Sequence, residues 1–547
     1  MTEKALKKND TIELEITGYT SEGSGVGHHN GQAVFVQGAA EGDLIECLII
    51  KAKKTYAIGK LMNVLKASPD RIVPDCPAFP RCGGCVYRHI SYAAELKQKR
   101  QRVADALSRI GHLRITPAEI TGCVSPDRYR NKAQYPVGMN NGRLLTGFYA
   151  PFSHRVIDCK NCLLQPAEFA AVLKAAAKWA EKYKIPVYTE ENQKGLLRHI
   201  YIRKGFETGE IMVCLVINGQ KIFKTQELIE SLKTVCPEIK TILLNHNTED
   251  TNVILGKKNT VLYGDGTIED ILCGKRFRIS PLSFYQVNHD QAQRLYEKAA
   301  EFAITPQTET VIDLYCGAGT IGLSLADKVK NVIGVEIVPE AIEDAKINAK
   351  LNGITNAEFI CGDASLAAKE LDERGIQPDT VIVDPPRKGC DEALLHTIAD
   401  MAPERIVYVS CDPGTLARDL AILENLGYKA LEVCPYDMFP RTVHVETVVQ
   451  LVRKKPDTYI DITVDMDELD LTSSEAKATY DEIKDYIFDK HCIKVSSLYV
   501  AQVKQKHGII ERDCYNNPKK DNPKQPQCPP EKVKLIEEAL RHFKMIP

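Results

Sequence analysis

Between positions 310 and 426, short apolar runs alternate with helix-periodic stretches: 310–315, 320–328, 331–337, 339–352, 357–361, 380–384, 405–411 and 415–426. Strands joined through helices run parallel and are covered on both faces, which is why their runs are continuously apolar. The pattern predicts a doubly wound α/β sheet, entered through a helix at 290–303, with ligands at the carboxyl ends of its strands.

The first strand carries Asp313 and leads into Gly317-Ala318-Gly319-Thr320-Ile321-Gly322, which turns into a helix. Glycines there let backbone approach a ligand closely. Glu336 lies 23 residues after Asp313 at the end of the next strand, where a carboxylate can take both hydroxyls of a ribose. By spacing alone a nicotinamide dinucleotide or another adenine nucleotide fits as well. The acid before the loop, together with Asp384-Pro385-Pro386 closing a later strand, points to S-adenosylmethionine (SAM). In SAM-dependent methyltransferases an Asp- or Asn-Pro-Pro tip lines the donor and acceptor sites.

Cys411, in Val409-Ser410-Cys411-Asp412-Pro413, ends a strand at that edge, and Glu446 follows 35 residues later in Val443-His444-Val445-Glu446. An isolated cysteine after a strand is most often a buried structural thiol; the Ser-Cys-Asp-Pro context with His-x-Glu reverses that balance. Nitrogen and oxygen acceptors attack a methyl with their own lone pairs and need no thiol. Carbon 5 of a uracil becomes nucleophilic only when a thiolate adds to carbon 6; its proton must then leave and the thiolate be expelled. That chemistry needs one activated cysteine and one base. A helix start at Asp412-Pro413-Gly414-Thr415 favours a partly ionised thiol. Arg387 and Arg441 are the two candidate cations, and the sequence does not choose between them.

Cys76, Cys82 and Cys85 are spaced C-x5-C-x2-C around Gly83 and Gly84, and Cys159-Lys160-Asn161-Cys162 adds two thiols. The spacing fits structural zinc, and an iron–sulfur cluster is its rival. It is not the C-x3-C-x2-C of radical SAM enzymes. The charged start, Met1-Thr2-Glu3-Lys4, does not read as a signal peptide, and no stretch approaches the ~18 apolar residues of a membrane helix. A cytoplasmic protein is expected, its 18 cysteines serving metal or catalysis more than disulfides.

Residues 76–160 hold 14 Lys/Arg against 5 Asp/Glu, although the whole chain carries a net charge of only −2. That excess is a footprint for a polyanion, or a solvated basic face. Within it, 91–110 reads as a basic amphipathic helix with Leu96, Val103, Ala106, Leu107 and Ile110 on its apolar side. Upstream, runs at 11–17, 33–36, 43–50 and 56–64 between glycine turns fit a small five-stranded OB-like barrel. The barrel segment is itself near neutral. Residues 120–285 read as a mixed β-rich region with helices at 166–183 and 226–235. An acidic linker at 456–471 precedes three helices around a Pro/Lys/Gln-rich loop at 516–530.

Together these features resemble the TRAM-bearing, iron–sulfur-containing RNA uracil-5 methyltransferases of the RumA type, over about residues 9–453. Gly18-Tyr19-Thr20-Ser21-Glu22-Gly23-Ser24-Gly25-Val26-Gly27 and Glu41-Gly42-Asp43 resemble a TRAM domain. The resemblance implies a TRAM barrel at 1–65, a central iron–sulfur and RNA-binding region at 66–289, a methyltransferase domain at 290–455, and a linker with helical extension at 456–547. It implies a 4Fe-4S cluster on Cys76, Cys82, Cys85 and Cys162, with Cys159 left out. SAM contacts would come from Gln286 (in Ser283-Phe284-Tyr285-Gln286-Val287-Asn288), Tyr315, Glu336 and Asp384, with Asp363 at the adenine end. Cys411 would be the nucleophile and Glu446 the base. Tyr315 stands where Phe is common, and Thr320 where some members have Asn, so no contact is carried to Thr320. The implied substrate is large-subunit ribosomal RNA, with no membrane and no obligatory protein partner. Three alternatives remain open: the same chemistry on transfer RNA, a nitrogen methyltransferase using Asp384-Pro385-Pro386, and a non-catalytic RNA-binding or redox-sensing module. Residues 492–526 hold 7 Lys/Arg and 3 Asp/Glu, a further RNA contact or a solvated appendage.

Overall fold

Strands Thr11–Tyr19, Gly25–His29, Gln32–Gln37, Leu44–Ala52 and Tyr56–Lys66 close into a five-stranded barrel. Leu14, Ile16, Val34, Val36, Ile45, Cys47 and Ile49 fill it, each two residues from the next along its strand. The strand Gly25–His29 has too few apolar residues to be read from its sequence. It needs glycine because a Cβ at Gly27 would lie 2.4 Å from the Glu15 carbonyl oxygen. This computed structural model describes residues 6–454, 479–491, 493–507, 509, 528–543 and 545–546. They fall into two compact units, Met1–Asp457 and Thr458–Pro547.

After the barrel, helix Tyr92–Arg109 is capped by the Ser91 side chain, which accepts from the Ala94 amide. Its apolar face differs from the expected one. Val103, Ala106 and Leu107 are buried, but Ile110 is 53% exposed, and the rest of the buried face is Ala94, Glu95 and Lys99. A seven-stranded sheet follows, in the order Lys258–Tyr263, Ile239–His246, Ile211–Ile217, Leu197–Lys204, Lys132–Asn140, Arg143–Tyr149, Val156–Asp158. Helices Ala167–Lys182 and Thr225–Val235 cover it through Phe169, Val172, Leu228 and Leu232.

The second seven-stranded sheet has the order Ala357–Cys361, Asn331–Glu336, Thr310–Leu314, Thr380–Val383, Arg405–Ser410, Glu446–Arg453, Tyr428–Tyr436. Ile312, Val381, Ile406 and Tyr408 pack on one face with helices Glu392–Asp400 and Pro413–Asn425, and with Val103 and Leu107 of the N-terminal helix. Val311, Ile382, Val407 and Val409 pack on the other with His289–Ala303 and Thr320–Leu325. The first five strands are parallel, as expected, but Glu446–Arg453 runs antiparallel to both of its neighbours, Arg405–Ser410 and Tyr428–Tyr436. Only residues 437–445 join Tyr428–Tyr436 to Glu446–Arg453. A parallel crossover needs a dozen residues or more, so the chain turns back as a hairpin. The strand beginning at Glu446 therefore starts at the same edge where the five parallel strands end.

The second unit has helices Tyr480–His491, Ser497–Lys506 and Pro530–His542 around Ile483, Ile487, Val500, Val503, Ile536 and Leu540. The acidic linker at 456–471, residues 516–527 of the Pro/Lys/Gln-rich loop and most of the 492–526 basic stretch lie outside the described residues. Among the described residues no helix is long and apolar enough to cross a membrane.

Candidate active site and cysteine cavity

Strand Arg405–Ser410 ends immediately before Cys411, which is half-buried. Asp412 then caps helix Pro413–Asn425, its carboxylate accepting from the Gly414 and Thr415 amides at 2.9 and 3.0 Å. Ser410 pairs with Thr447 across the antiparallel ladder. The ladder stops there, and Cys411 and Glu446 are the next residues of the two strands; Glu446 is 4% exposed. Burial pushes the Glu446 carboxyl up to about 8, with Asp384 adding to the rise and Arg387 opposing it. Burial also lifts Asp384 to about 7. The Cys411 thiol is pushed up to about 11, first by burial and then by Glu446 and Asp384, against the pull of Arg387.

Two expectations are settled here. The cation beside the thiol is Arg387, because it acts on both Cys411 and Glu446. The Arg441 guanidinium is instead 3.5 Å from the Glu95 carboxylate. The helix start does not leave the resting thiol partly ionised, since burial and two neighbouring acids outweigh the dipole. Arg387 also reaches His444, Nη2 to Nε2 at 3.4 Å. Burial, with Arg387 next, pushes the His444 imidazole down to about 4, so it is neutral.

Four of the five expected donor residues lie along the same edge. Tyr315, Glu336, Asp363, Asp384 and Cys411 each end, or closely follow, one of the five parallel strands. Tyr315 has φ +66° and is followed by Gly317 at +56° and Gly319 at +80°, a tight left-handed turn that bares the loop backbone. Asp313 stands behind the loop. One of its carboxylate oxygens accepts from the Gly322 amide at 2.8 Å, and burial lifts the acid to about 7. Glu336 accepts from the Gly317 amide at 3.2 Å and the Val338 amide at 2.9 Å, which aims its carboxylate across the loop. Asp363 caps helix Ala364–Glu373 through the Ser365 and Leu366 amides. Gln286 is 7% exposed, and its carbonyl accepts from Asn131 Nδ2 at 2.9 Å.

Cys76, Cys82, Cys85, Cys159 and Cys162 line one cavity of about 260 Å³, together with Arg88 and Lys132. Arg88 is anchored by Asp75 and Asp127 at 2.6 and 2.5 Å. A hydrogen bond from the Cys159 thiol lowers Cys162 to about 7, whereas burial lifts Cys85 to about 12 against the pull of Arg88. Every described cysteine is a free thiol. Among the described residues no three His, Cys, Asp or Glu side chains gather closely enough to hold a single metal ion.

Sequence reasoning missed the surroundings of the hairpin that leads to Glu446. Lys99 and Glu95 are four residues apart on one helix and form a buried ion pair at 2.8 Å with each other. The i,i+4 spacing was a visible signal of pairing, but not of burial.

A doubly wound sheet with a glycine loop, a ribose-type carboxylate at the end of its second strand and an Asp-Pro-Pro tip defines a SAM-dependent methyltransferase. The tRNA (uracil-5-)-methyltransferase family model matches residues 91–454, and the TRAM domain model matches residues 5–62. The chain belongs to the tRNA (uracil-5-)-methyltransferase family. It is 48% identical over 444 residues to an uncharacterized RNA methyltransferase of Clostridium tetani, covering 81% of this chain and 96% of that one. A second such protein, from Halalkalibacterium halodurans, is 47% identical over 450 residues, covering 82% and 98%. Among solved structures, the Pyrococcus abyssi tRNA (uracil-54, C5)-methyltransferase in complex with S-adenosyl-L-homocysteine matches with a TM-score of 0.66 at 27% identity. It covers 81% of this chain and 100% of that one.

Proposed function

We propose that this enzyme methylates carbon 5 of specific uridines in large-subunit ribosomal RNA through a transient bond between Cys411 and carbon 6. The observation that supports this reading is the antiparallel register ending at Ser410 and Thr447, which makes Cys411 and Glu446 the next residues of the two strands, with Glu446 acting on the Cys411 thiol. The uridine leaves its stack to reach them. Sγ of Cys411 bonds to carbon 6, and the electron pair moves through carbon 5 towards the carbon-4 carbonyl. Carbon 5 takes the methyl of SAM, whose sulfonium becomes a neutral thioether. Glu446 then removes the carbon-5 proton, the 5,6 double bond re-forms, and the carbon–sulfur bond breaks. Glu336, Asp363, Asp384, Tyr315 and Gln286 are the proposed donor contacts.

The raised acids supply a pH dependence. Glu446 must be ionised to accept a proton, and its carboxyl titrates at about 8 in the free protein. Proton removal follows irreversible methyl transfer, so kcat carries this dependence and is expected to rise about tenfold per pH unit up to about pH 8 and then level, while kcat/Km follows the Cys411 thiol, pushed up to about 11. A rate independent of pH between 6 and 8 would remove Glu446 as the base.

The cysteine cavity is the proposed seat of a 4Fe-4S cluster on Cys76, Cys82, Cys85 and Cys162. The cavity of about 260 Å³ that these thiols line has room for a multi-iron cluster, which supports this reading over a single zinc ion. The cluster would hold this region together, since methyl transfer moves no electrons. Anaerobically purified protein is expected to be brown, with iron and sulfide in equal amounts; Cys162→Ser should lose both and Cys159→Ser should keep them. Colourless, zinc-loaded protein would contradict this assignment.

The functional division we infer is an RNA-holding barrel at 1–65, a cluster-bearing region at 66–289, the methyltransferase at 290–455 and an appended tail. Transfer RNA is the second substrate reading, favoured by the activity named for the Pyrococcus abyssi structure. Mass spectrometry of nucleosides from cells with and without the gene decides. Loss of 5-methyluridine from large-subunit RNA supports the first reading, loss from transfer RNA alone supports the second, and loss from neither rejects both.

A further inference from the structure

Residues 437–445, which deliver Glu446, are held largely by a segment more than 300 residues upstream. The Phe439 carbonyl accepts from Lys99 Nζ at 3.0 Å, Pro440 from the Tyr129 hydroxyl at 3.1 Å, and Val443 from Arg102 Nη1 at 2.7 Å. The Arg441 carbonyl takes the amides of Val86 and Tyr87 at 2.7 and 3.2 Å. In return the Arg441 amide donates to the Glu95 carboxylate at 2.6 Å. Arg441 is a non-glycine residue held at φ +69°, a conformation that persists only where surroundings impose it. Val86 directly follows Cys85, so the wall of the cysteine cavity is also part of this clasp.

At its base lies a charge cluster closed to water. Lys99 Nζ is 2.8 Å from Glu95 and 2.6 Å from Asp437, and both carboxylates are fully buried. Arg441 adds the second cation, so two acids face two bases. Buried ion groups of this kind give little stability over apolar packing of the same volume. What they give here is one fixed path for the hairpin. Cys411 is carried by a different strand, whose end is set by the parallel sheet and by the Asp412 cap. Arg102 of the clasp also lies 3.8 Å from the Asp412 carboxylate, beside Cys411, whereas among the described residues Lys99 bonds only to Glu95 on its own helix and to Asp437 and Phe439 of the hairpin, so Lys99 bears on the base rather than on the nucleophile.

We propose that Lys99, through Glu95 and Asp437, is a positioning residue for proton removal from carbon 5. It holds residues 437–445 so that Glu446 faces the ring after methyl transfer. In that step the C5–H bond breaks, its proton passes to the Glu446 carboxylate, its electron pair restores the 5,6 double bond, and Cys411 leaves carbon 6 as a thiolate. This inference rests on the covalent mechanism proposed above.

The test uses the full chain with two variants. Lys99→Met leaves two acids facing one guanidinium and is liable to unfold. Lys99→Met with Asp437→Asn restores charge balance and still lacks the bond to Phe439. In the double variant we expect wild-type SAM affinity and a wild-type rate of adduct formation on RNA carrying 5-fluorouridine. Turnover of ordinary RNA should be at least about 30-fold slower, with a denaturation-resistant protein–RNA complex building up as the bond to carbon 6 waits for release. Adduct formation slowed as much as turnover would reduce the clasp to a structural role. Release at the wild-type rate would remove Lys99 from the step altogether. Wild-type enzyme that forms no adduct would overturn the covalent mechanism, and the inference with it.

Discussion

Cys411→Ala is expected to abolish methyl transfer, by at least about 10⁴-fold, while SAM still binds. The size of the loss follows from the acceptor. Carbon 5 of uracil has no lone pair, so without Sγ the barrier to transfer rises by the full advantage of the covalent route; removing a nucleophile elsewhere costs 10⁴-fold or more. The fold should tolerate the change. Cys411 is half-buried at a strand end, and the neighbouring helix is capped by Asp412 rather than by the thiol. Isothermal titration with SAM and a methyl-incorporation assay together separate the outcomes. Lost incorporation with intact SAM binding is expected. Incorporation within tenfold of wild type would return the site to direct nitrogen- or oxygen-type transfer.

Glu446→Gln is expected to have two opposite effects. Turnover should fall by about 10² to 10⁴, the usual contribution of a positioned base, with adduct accumulating because its formation precedes proton removal. Stability at high pH should rise. The Glu446 carboxyl is held at about 8 against an ordinary 4.5 because burial penalises its charge. An acid whose folded value is raised stabilises the fold fully below its unfolded value, and that contribution is lost as pH rises through the folded value. Wild-type protein should therefore lose stability as pH rises from about 4.5 through 8, by an amount on the order of 5 kcal/mol from this group. The glutamine variant should escape that loss. Melting temperatures at pH 5 and pH 9 are expected to converge at the lower pH and diverge at the higher, with the variant more stable. A variant less stable at pH 9 would mean that Glu446 is charged and satisfied in the resting protein.

The periodicities that sequence exposes are those of continuous burial. The parallel strands of the second sheet are apolar on both faces, so 310–315, 331–337 and 405–411 were legible to within a residue of their observed ends. Helices Ala364–Glu373 and Glu392–Asp400, which lie between those strands, were not named. The barrel was legible as a type, but Gly25–His29 was not, because a strand chosen for close backbone approach carries glycine instead of alternation. The antiparallel hairpin could not be seen in composition, since direction depends on how many residues join Tyr428–Tyr436 to Glu446–Arg453. At the candidate site, the positions of Cys411 just after one strand and Glu446 at the start of another were legible in the sequence. Lys99 was read as part of a basic face, whereas it is neutralised internally by Glu95 and Asp437. Charge along a chain does not report which charges reach solvent. The choice of Arg387 over Arg441 likewise depends on burial and contact, which only the folded chain supplies.

The most direct test is to incubate the protein with SAM and target RNA in which 5-fluorouridine replaces the modified uridine, then digest and weigh the peptides. Fluorine cannot be removed from carbon 5 as a proton is, so release is blocked. A peptide containing Cys411 that carries a methylated fluorouridine nucleotide is the expected result. An enzyme that methylates ordinary RNA yet shows no nucleotide on Cys411 under these conditions would contradict covalent catalysis by this residue.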